Sequence, residues 1–180
     1  AKLVALMRQA VYAAVEAKAI ARQMRDPAPE EIFIAALLYQ LGEMAFWTFA
    51  EENETAALAA AVARAGGNNT AAEMAVLGCT LRMLTAGLAK EWRLSGVLQD
   101  ALETGERGKG RSAQVLLGHA LEKAVREHGW DSPAVRQVTE RIAALLRVQP
   151  ERAREVINGS RLDLEQAAEA FGVTLDLEKG

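Results

Sequence analysis

The sequence predicts an all-α fold, a compact multi-helix bundle, and three observations carry that expectation. Thirty-six of the 180 residues are alanine, against 4 prolines and 5% aromatics. Alanine loses no side-chain entropy in a helix and lets neighbouring helices approach closely. Apolar residues recur at helical spacing from the first turn onward. Nothing alternates with period two over a useful length except the tail VTLDLEKG, residues 173–180, which is expected to fray. Hydrophobic residues make up 51% and charged ones 25%, a balance that can bury a core and excludes wholesale disorder. The length suits one domain, residues 1–180.

The elements follow in order. Residues 2–25 place Val4, Met7, Val11 and Val15 on one helical stripe. Asp26-Pro27-Ala28-Pro29 ends that helix, because proline cannot donate a backbone hydrogen bond and biases its predecessor away from helix. Pro29, Glu30 and Glu31 suit the first turn of a second helix. Its sequence, EIFIAALLYQLGEMAFWTFA, is apolar on nearly every side, so residues 33–44 are expected to be the most buried element, with Gly42 as the point of any kink. Asn53 is the expected cap of a third helix over 54–65, closed by Gly66-Gly67, with Asn68 and Asn69 completing a turn. Thr70 and Glu73 read as the capping box of a long fourth helix reaching Trp92, with Gly78 and Gly87 as close-contact points. Ser95 opens a fifth helix through Glu103, and GERGKGR, residues 105–111, reads as a flexible loop. Ser112 starts a sixth helix ending at Gly129. Ser132-Pro133 starts a seventh, Pro150 an eighth that stops at Gly159, and Asp163 a ninth that stops at Gly172.

Charge and cysteine usage narrow the function classes. The net charge is −3, whereas a protein held by phosphate contacts normally shows a basic face, so no nucleic-acid partner is expected. Cys79 is the single cysteine, which excludes a disulfide scaffold and fits a reducing compartment. No run of 18 apolar residues is present: the richest, 32–41, is too short and contains Gln40. Charged residues recur through the N-terminus, unlike a signal peptide. A cytoplasmic protein with no membrane partner is the expectation. The absence of an initiator methionine, with a helical pattern from the start, reads as an excised piece of a longer chain.

Two stretches together resemble the HDOD family, the output-type relatives of HD-domain phosphohydrolases. The first is FIAALLYQLGEMAFW, residues 33–47. It is similar to the family segment in which a small or aromatic residue, alanine, two leucines, a His-Asp pair and a hydrophobic-Gly step follow one another. The second is EMAVLGCTLRMLTAGLAKEWRLSGVLQDAL, residues 73–102. There Glu73, Leu77-Gly78, Thr80, Leu88, Trp92 and Leu94 fall at the family's places, and this match is the more specific. With the register of the first helix, the resemblance covers about residues 6–124. The N-terminal helices of a full HDOD unit are missing from it, and further helices over 133–172 are unassigned.

The departures from the pattern are informative. The resemblance implies metal ligands at a His on the first core helix, at the His-Asp pair and at a later Asp. This chain has Gln9, Tyr39, Gln40 and, if GHALEKA aligns with the family's later helix, Leu121. Metal-assisted hydrolysis needs imidazole or anionic ligands, which amides, a phenol and a leucine do not replace. No catalytic residue, metal or cofactor is therefore expected. Beside this stands a plain reading, in which Gln9, Tyr39 and Gln40 are polar residues hydrogen-bonded inside a helical core. A relic pocket for a small ligand, or a partner surface, is the other reading of the same residues.

The remaining chemistry-bearing residues read as structural. His119 and His128 lie nine positions apart on one helix, hence on opposite faces, and cannot share a metal ion. His119 suits a core or boundary position and His128 a helix end. GERGKGRS lacks the spacing of a phosphate loop, so Arg107, Lys109 and Arg111 read as a solvated linker. Cys79, beside Leu77 and Leu81, reads as a small core residue well inside its helix, and Trp47, Trp92 and Trp130 as core or boundary anchors. Aspartates and glutamates show no paired placement in an apolar setting.

The resulting expectation is a non-catalytic regulatory or output module of bacterial signal transduction, acting through a protein partner or an adjacent domain. Family units are often joined to a receiver or other sensory domain. A residual phosphohydrolase and an unrelated helical adaptor are the alternatives. Leu3, Val4 and Leu6 spread apolar character around the helix start, so that end is expected to be partly exposed, covered by an upstream segment or paired in a homo-oligomer.

Overall fold

The computed structural model describes residues 2–66 and 69–174, and among them every regular element is helical. The order is α1 (Lys2–Gln23), α2 (Pro29–Leu38), α3 (Leu41–Phe49), α4 (Glu52–Arg64), α5 (Asn69–Leu77), α6 (Leu81–Glu91), α7 (Gly96–Thr104), a 3₁₀ turn (Gly105–Arg107), α8 (Arg111–His128), α9 (Pro133–Leu146), α10 (Pro150–Gly159) and α11 (Arg161–Ala170). Gly67 and Asn68 of the expected turn, and 175–180 of the expected frayed tail, lie outside the described residues.

The centre is α1 crossed by α8, not the helix expected there. Ala10, Ala13, Ala14, Ala17 and Ala21 of α1 are wholly buried, and α1 packs on α2, α8, α9, α10 and α11. Small side chains allow this approach. A Cβ on Gly118 of α8 would stand 2.4 Å from the Ala13 carbonyl oxygen and 2.9 Å from Ala17 Cβ. One apolar cluster joins α1 to α2, α7 and α8 through Ala17, Ile32, Leu98 and Val115. A second joins Ile20 to Leu117 and Leu121 of α8 and to Val138, Ile142 and Ile157 of α9 and α10.

The long apolar second helix is instead two helices, broken at Tyr39 and Gln40 rather than at Gly42. Gly42 is a contact point: its amide donates to Thr85 Oγ1 at 2.9 Å, and a Cβ there would lie 2.4 Å from the Leu81 carbonyl oxygen. Only Ile32, Ala35, Ala36 and Gly42 of the pair are buried. Apolar composition all round does not decide which helix is central; a narrow face of small residues does.

The fourth helix also divides. Gly78, at φ 71°, ends α5, α6 leaves at 69° to it, and neither Gly78 nor Gly87 is a close contact. The Thr70–Glu73 box is absent. Thr70 lies within α5, and Glu73 Oε2 accepts the Leu81 amide at 2.8 Å at the start of α6, which Thr80 caps by accepting the Met83 amide at 3.0 Å. Likewise α4 is capped at Glu51, whose amide donates to Glu54 Oε2 at 2.9 Å, and not at Asn53. Downstream the punctuation holds in part: α8 begins at Arg111 rather than Ser112 and α11 at Arg161 rather than Asp163. Ser95 and Ser132 cap α7 and α9, and Pro133 and Pro150 open α9 and α10.

Candidate functional site

The α2–α3 break turns the chain where Tyr39 and Gln40 stand. Tyr39 packs against the first apolar cluster, and its ring centroid lies 4.7 Å from that of His119 on α8. His119 Nε2 is 2.8 Å from the Ala36 carbonyl oxygen. A carbonyl can only accept, so Nε2 carries the proton of the neutral ring and Nδ1 does not. Burial pushes His119 down to about 4 and pushes the Tyr39 phenol up; both groups are uncharged at neutral pH. Gln40 Oε1 is buried with no partner.

The structure brings Tyr39 and Gln40 onto adjoining helix ends with His119 over the phenol, and places Leu121 elsewhere. Two positions along α8 turn about 200°, so Leu121 faces Ile20 and Ile142 in the second cluster. Gln9 is half-buried on α1 and makes no hydrogen bond to Tyr39 or Gln40 among the described residues. Among those residues no three His, Cys, Asp or Glu side chains converge so as to hold a metal ion. The positions that the resemblance implies for ligands are thus not gathered into one site, since Leu121 lies in another cluster, and a phenol and two amides are in any case a donor set that does not fit a hydrolytic metal.

Several residues take places that the sequence did not indicate. Arg111 is an anchor, not part of a solvated linker. Its Nε and Nη2 meet Asp26 Oδ2 and Oδ1 at 2.9 and 3.0 Å, and its Nη1 meets Glu31 Oε2 at 2.5 Å. Ser95 Oγ donates to Glu31 Oε1 at 2.7 Å, so the α1–α2 turn, α7 and α8 are tied together. The Arg111 guanidinium holds the Asp26 carboxyl below its usual range, and the Ser95 hydroxyl with Arg111 does the same for Glu31. Arg107 and Lys109 are exposed as expected, as is His128 at the end of α8. Cys79 lies in the α5–α6 break, half-buried, rather than inside a helix. Leu6 is core at 3% exposure, while Val4 is exposed. Glu16, a carboxyl on the alanine face of α1, is wholly buried, which its place in the sequence does not signal.

Several large apolar side chains are exposed. Ile34 of α2, Phe49 of α3, and Met83 and Trp92 of α6 and its end are exposed, Phe49 at 83% and Trp92 at 59%. Trp92 is thus no core anchor. The span Pro29–Phe49 is long and apolar enough to cross a bilayer, yet only 22% of its most apolar window is buried. A core helix would be mostly covered, so α2 and α3 leave apolar side chains such as Ile34 and Phe49 exposed.

Comparison with known proteins bears on this arrangement. A family model, the HDOD domain, matches residues 1–106. The curated proteins contain no significant match. Among solved structures the fold is similar to a crystal structure from Shewanella amazonensis SB2B, named as a candidate phosphohydrolase, with a TM-score of 0.66 and 17% identity. The alignment covers 92% of this chain and 64% of that one, so this chain spans under two thirds of that protein's length.

Proposed function

The chain belongs to the HDOD family over residues 1–106, and we propose that it is a non-catalytic output module of signal transduction that acts through protein contacts. The observation that carries this reading is the ligand set: Gln9, Tyr39 and Gln40 stand where the resemblance implies His and His-Asp, while Leu121, the residue aligned with the later Asp, lies in another cluster. Hydrolysis of the parent kind needs ligands that hold an ion and lower the pKa of its water. What remains for such a domain is to bind a partner differently in two states of a larger protein. The exposed Phe49, at the end of α3, and Trp92, at the end of α6, are the side chains proposed for that contact.

The test has two arms. Purified protein analysed for iron, manganese and zinc is expected to hold no stoichiometric metal, and to show no phosphodiesterase turnover when manganese is added. One or two equivalents of metal with turnover would establish the second reading, a residual phosphohydrolase, which the name of the Shewanella neighbour favours. The double substitution Phe49→Ser and Trp92→Ser should leave the thermal midpoint within a degree or two, since exposed changes usually cost less than about 0.5 kcal/mol. It should also weaken association of the chain with a protein partner recovered with the unaltered chain; undiminished association would remove Phe49 and Trp92 from the proposal.

A further inference from the structure

One residue joins α10 to α11. Ser160 ends the first and begins the second, at φ −78° and ψ −5°, and its side chain gives α11 no cap. That side chain turns inward instead. Its Oγ lies 2.7 Å from Oε1 of Glu16, on α1, and 2.6 Å from the Ile157 carbonyl oxygen. A hydroxyl has one proton and cannot donate fully to both. The set closes when Glu16 is a neutral carboxyl: Oε1–H donates to Ser160 Oγ, and the Ser160 hydroxyl donates to the Ile157 carbonyl.

The surroundings of Glu16 favour that neutral form. The residue is wholly buried and its Oε2 has no partner, so an ionised carboxylate there would have neither water nor a cation. On its own helix the titratable group one turn away is Tyr12, whose buried phenol also lacks a partner. From α8 comes Glu122, held by Arg126 at 2.8 Å. The α8–α9 turn brings Asp131, α10 brings Arg154 and α11 brings Arg161. Arg154 pairs with Asp131 at 3.2 Å and Arg161 with Glu165 at 3.5 Å. Among the described residues none of these charges pairs with Glu16. Burial accordingly pushes Glu16 up to about 8.

The attachment of α11 is slight. Leu164 and Ala168 are its buried side chains, and its seat is a small apolar cluster of Val11, Ala168 and Val173 with Met7, Leu37 and Ala167. Phe171 meets Phe33 of α2 at 6.3 Å between ring centroids, and is 39% exposed. The tie on the outer side is the exposed pair Arg22–Asp163, which is worth little. A helix with so few buried side chains belongs to the low-stability end of a fold and opens before the rest.

We propose that α11 is a pH-sensitive strap: hinged at Ser160, it closes over Met7, Val11, Phe33 and Leu37 of α1 and α2 while Glu16 is protonated, and lifts when Glu16 ionises. Lifting α11 takes Ser160 off Glu16 and admits water, so the carboxyl then titrates at its ordinary 4.5. Between that value and about 8 each opening releases one proton. The closed state therefore loses up to about ten-fold for each pH unit in that window. The strap is independent of the reading above, because it requires no partner and no chemistry at Tyr39 or Gln40.

Hydrogen–deuterium exchange of the whole chain at pH 6, 7 and 8, corrected for the intrinsic rate at each pH, reads this opening. Amides of α11 should be less protected than those of α8 at every pH, and their protection should fall at least about ten-fold from pH 6 to pH 8. Glu16→Gln, neutral throughout, should hold the protection of α11 constant over that range. Exchange of α11 at the rate of α8 overturns the proposal, since the helix would then open only with the whole molecule. So does protection of α11 that is unchanged between pH 6 and 8, or a slope that survives in Glu16→Gln. Should that variant fail to fold, Glu16→Leu removes the same titration, and the pH series on the unaltered chain decides alone.

Discussion

Two buried titratable groups, Glu16 and His119, pull the pH dependence of stability in opposite directions. Burial raises Glu16 from its ordinary 4.5 to about 8, so the folded state keeps a proton that the unfolded chain releases. Stability therefore falls as pH rises from about 4.5 to about 8. Burial lowers His119 from 6.5 to about 4, so the unfolded chain takes up a proton that the folded state refuses. Stability from this group rises as pH climbs from about 4 to about 6.5. The two slopes offset one another near pH 5–6. Above pH 6.5 only the loss from Glu16 continues, amounting to a few kcal/mol in order of magnitude. Urea midpoints measured from pH 5 to 9 should accordingly decline between 6.5 and 8, and Glu16→Gln should flatten that decline. A flat profile in the unaltered protein would show that Glu16 titrates normally. Spacing did indicate that His119 belongs inside and His128 at a helix end. It could not indicate that His119 covers Tyr39, a contact between residues eighty positions apart. Glu16 was illegible for a related reason: one charge among alanines reads as a solvated edge until Ser160, from the other end of the chain, is seen to bond it.

At the scale of elements, the serine caps and the prolines were legible because their signals are local, whereas Asn53 and the Thr70–Glu73 pair proved not to be caps. Ser95, Ser132, Pro133 and Pro150 begin helices where expected. Breaks made by a single turn were not legible. Gly78 at positive φ and Gly87 in open helix look alike in sequence, and the glycines packed against the backbone of another helix proved to be Gly42 and Gly118. The contrast is measurable. Gly118→Ala drives a methyl into the Ala13 carbonyl, 2.4 Å away, in the tightest part of the α1–α8 crossing. Overpacking of that kind costs about 1–3 kcal/mol, here towards the upper end because backbone must move. Gly87→Ala meets nothing within 4 Å and should stabilise by about 0.5–1 kcal/mol, through helix propensity and a less flexible unfolded chain. Urea denaturation of the two variants reads both signs; a neutral Gly118→Ala would mean that α1 and α8 are further apart than described.

At the scale of the molecule, the boundary of the family match and the boundary of the core do not coincide. The match ends at residue 106, before α8 begins at Arg111. Yet α8 lies against the alanine face of α1, and Ile20 of α1 is buried by Leu117, Leu121, Ile142 and Ile157, all beyond the match. Val115 of α8 completes the cluster that holds α2 and α7, and Arg111 ties the α1–α2 turn to Glu31 and Ser95 through its partners. A chain ending at residue 106 would expose most of one side of α1, including Ile20 and the face that Gly118 covers, and would leave Asp26 without its guanidinium. Each fully buried aliphatic side chain so exposed forfeits about 1.5–3 kcal/mol, and a few of them exhaust the 5–15 kcal/mol that domains of this size typically possess. The fragment 1–106 is therefore expected to show helical far-ultraviolet dichroism without a cooperative thermal transition, while the chain 1–174 unfolds in one step. A cooperative transition in the fragment near that of the longer chain would mean that α8–α11 are an appendage, and that the helices matching the family suffice to make a core.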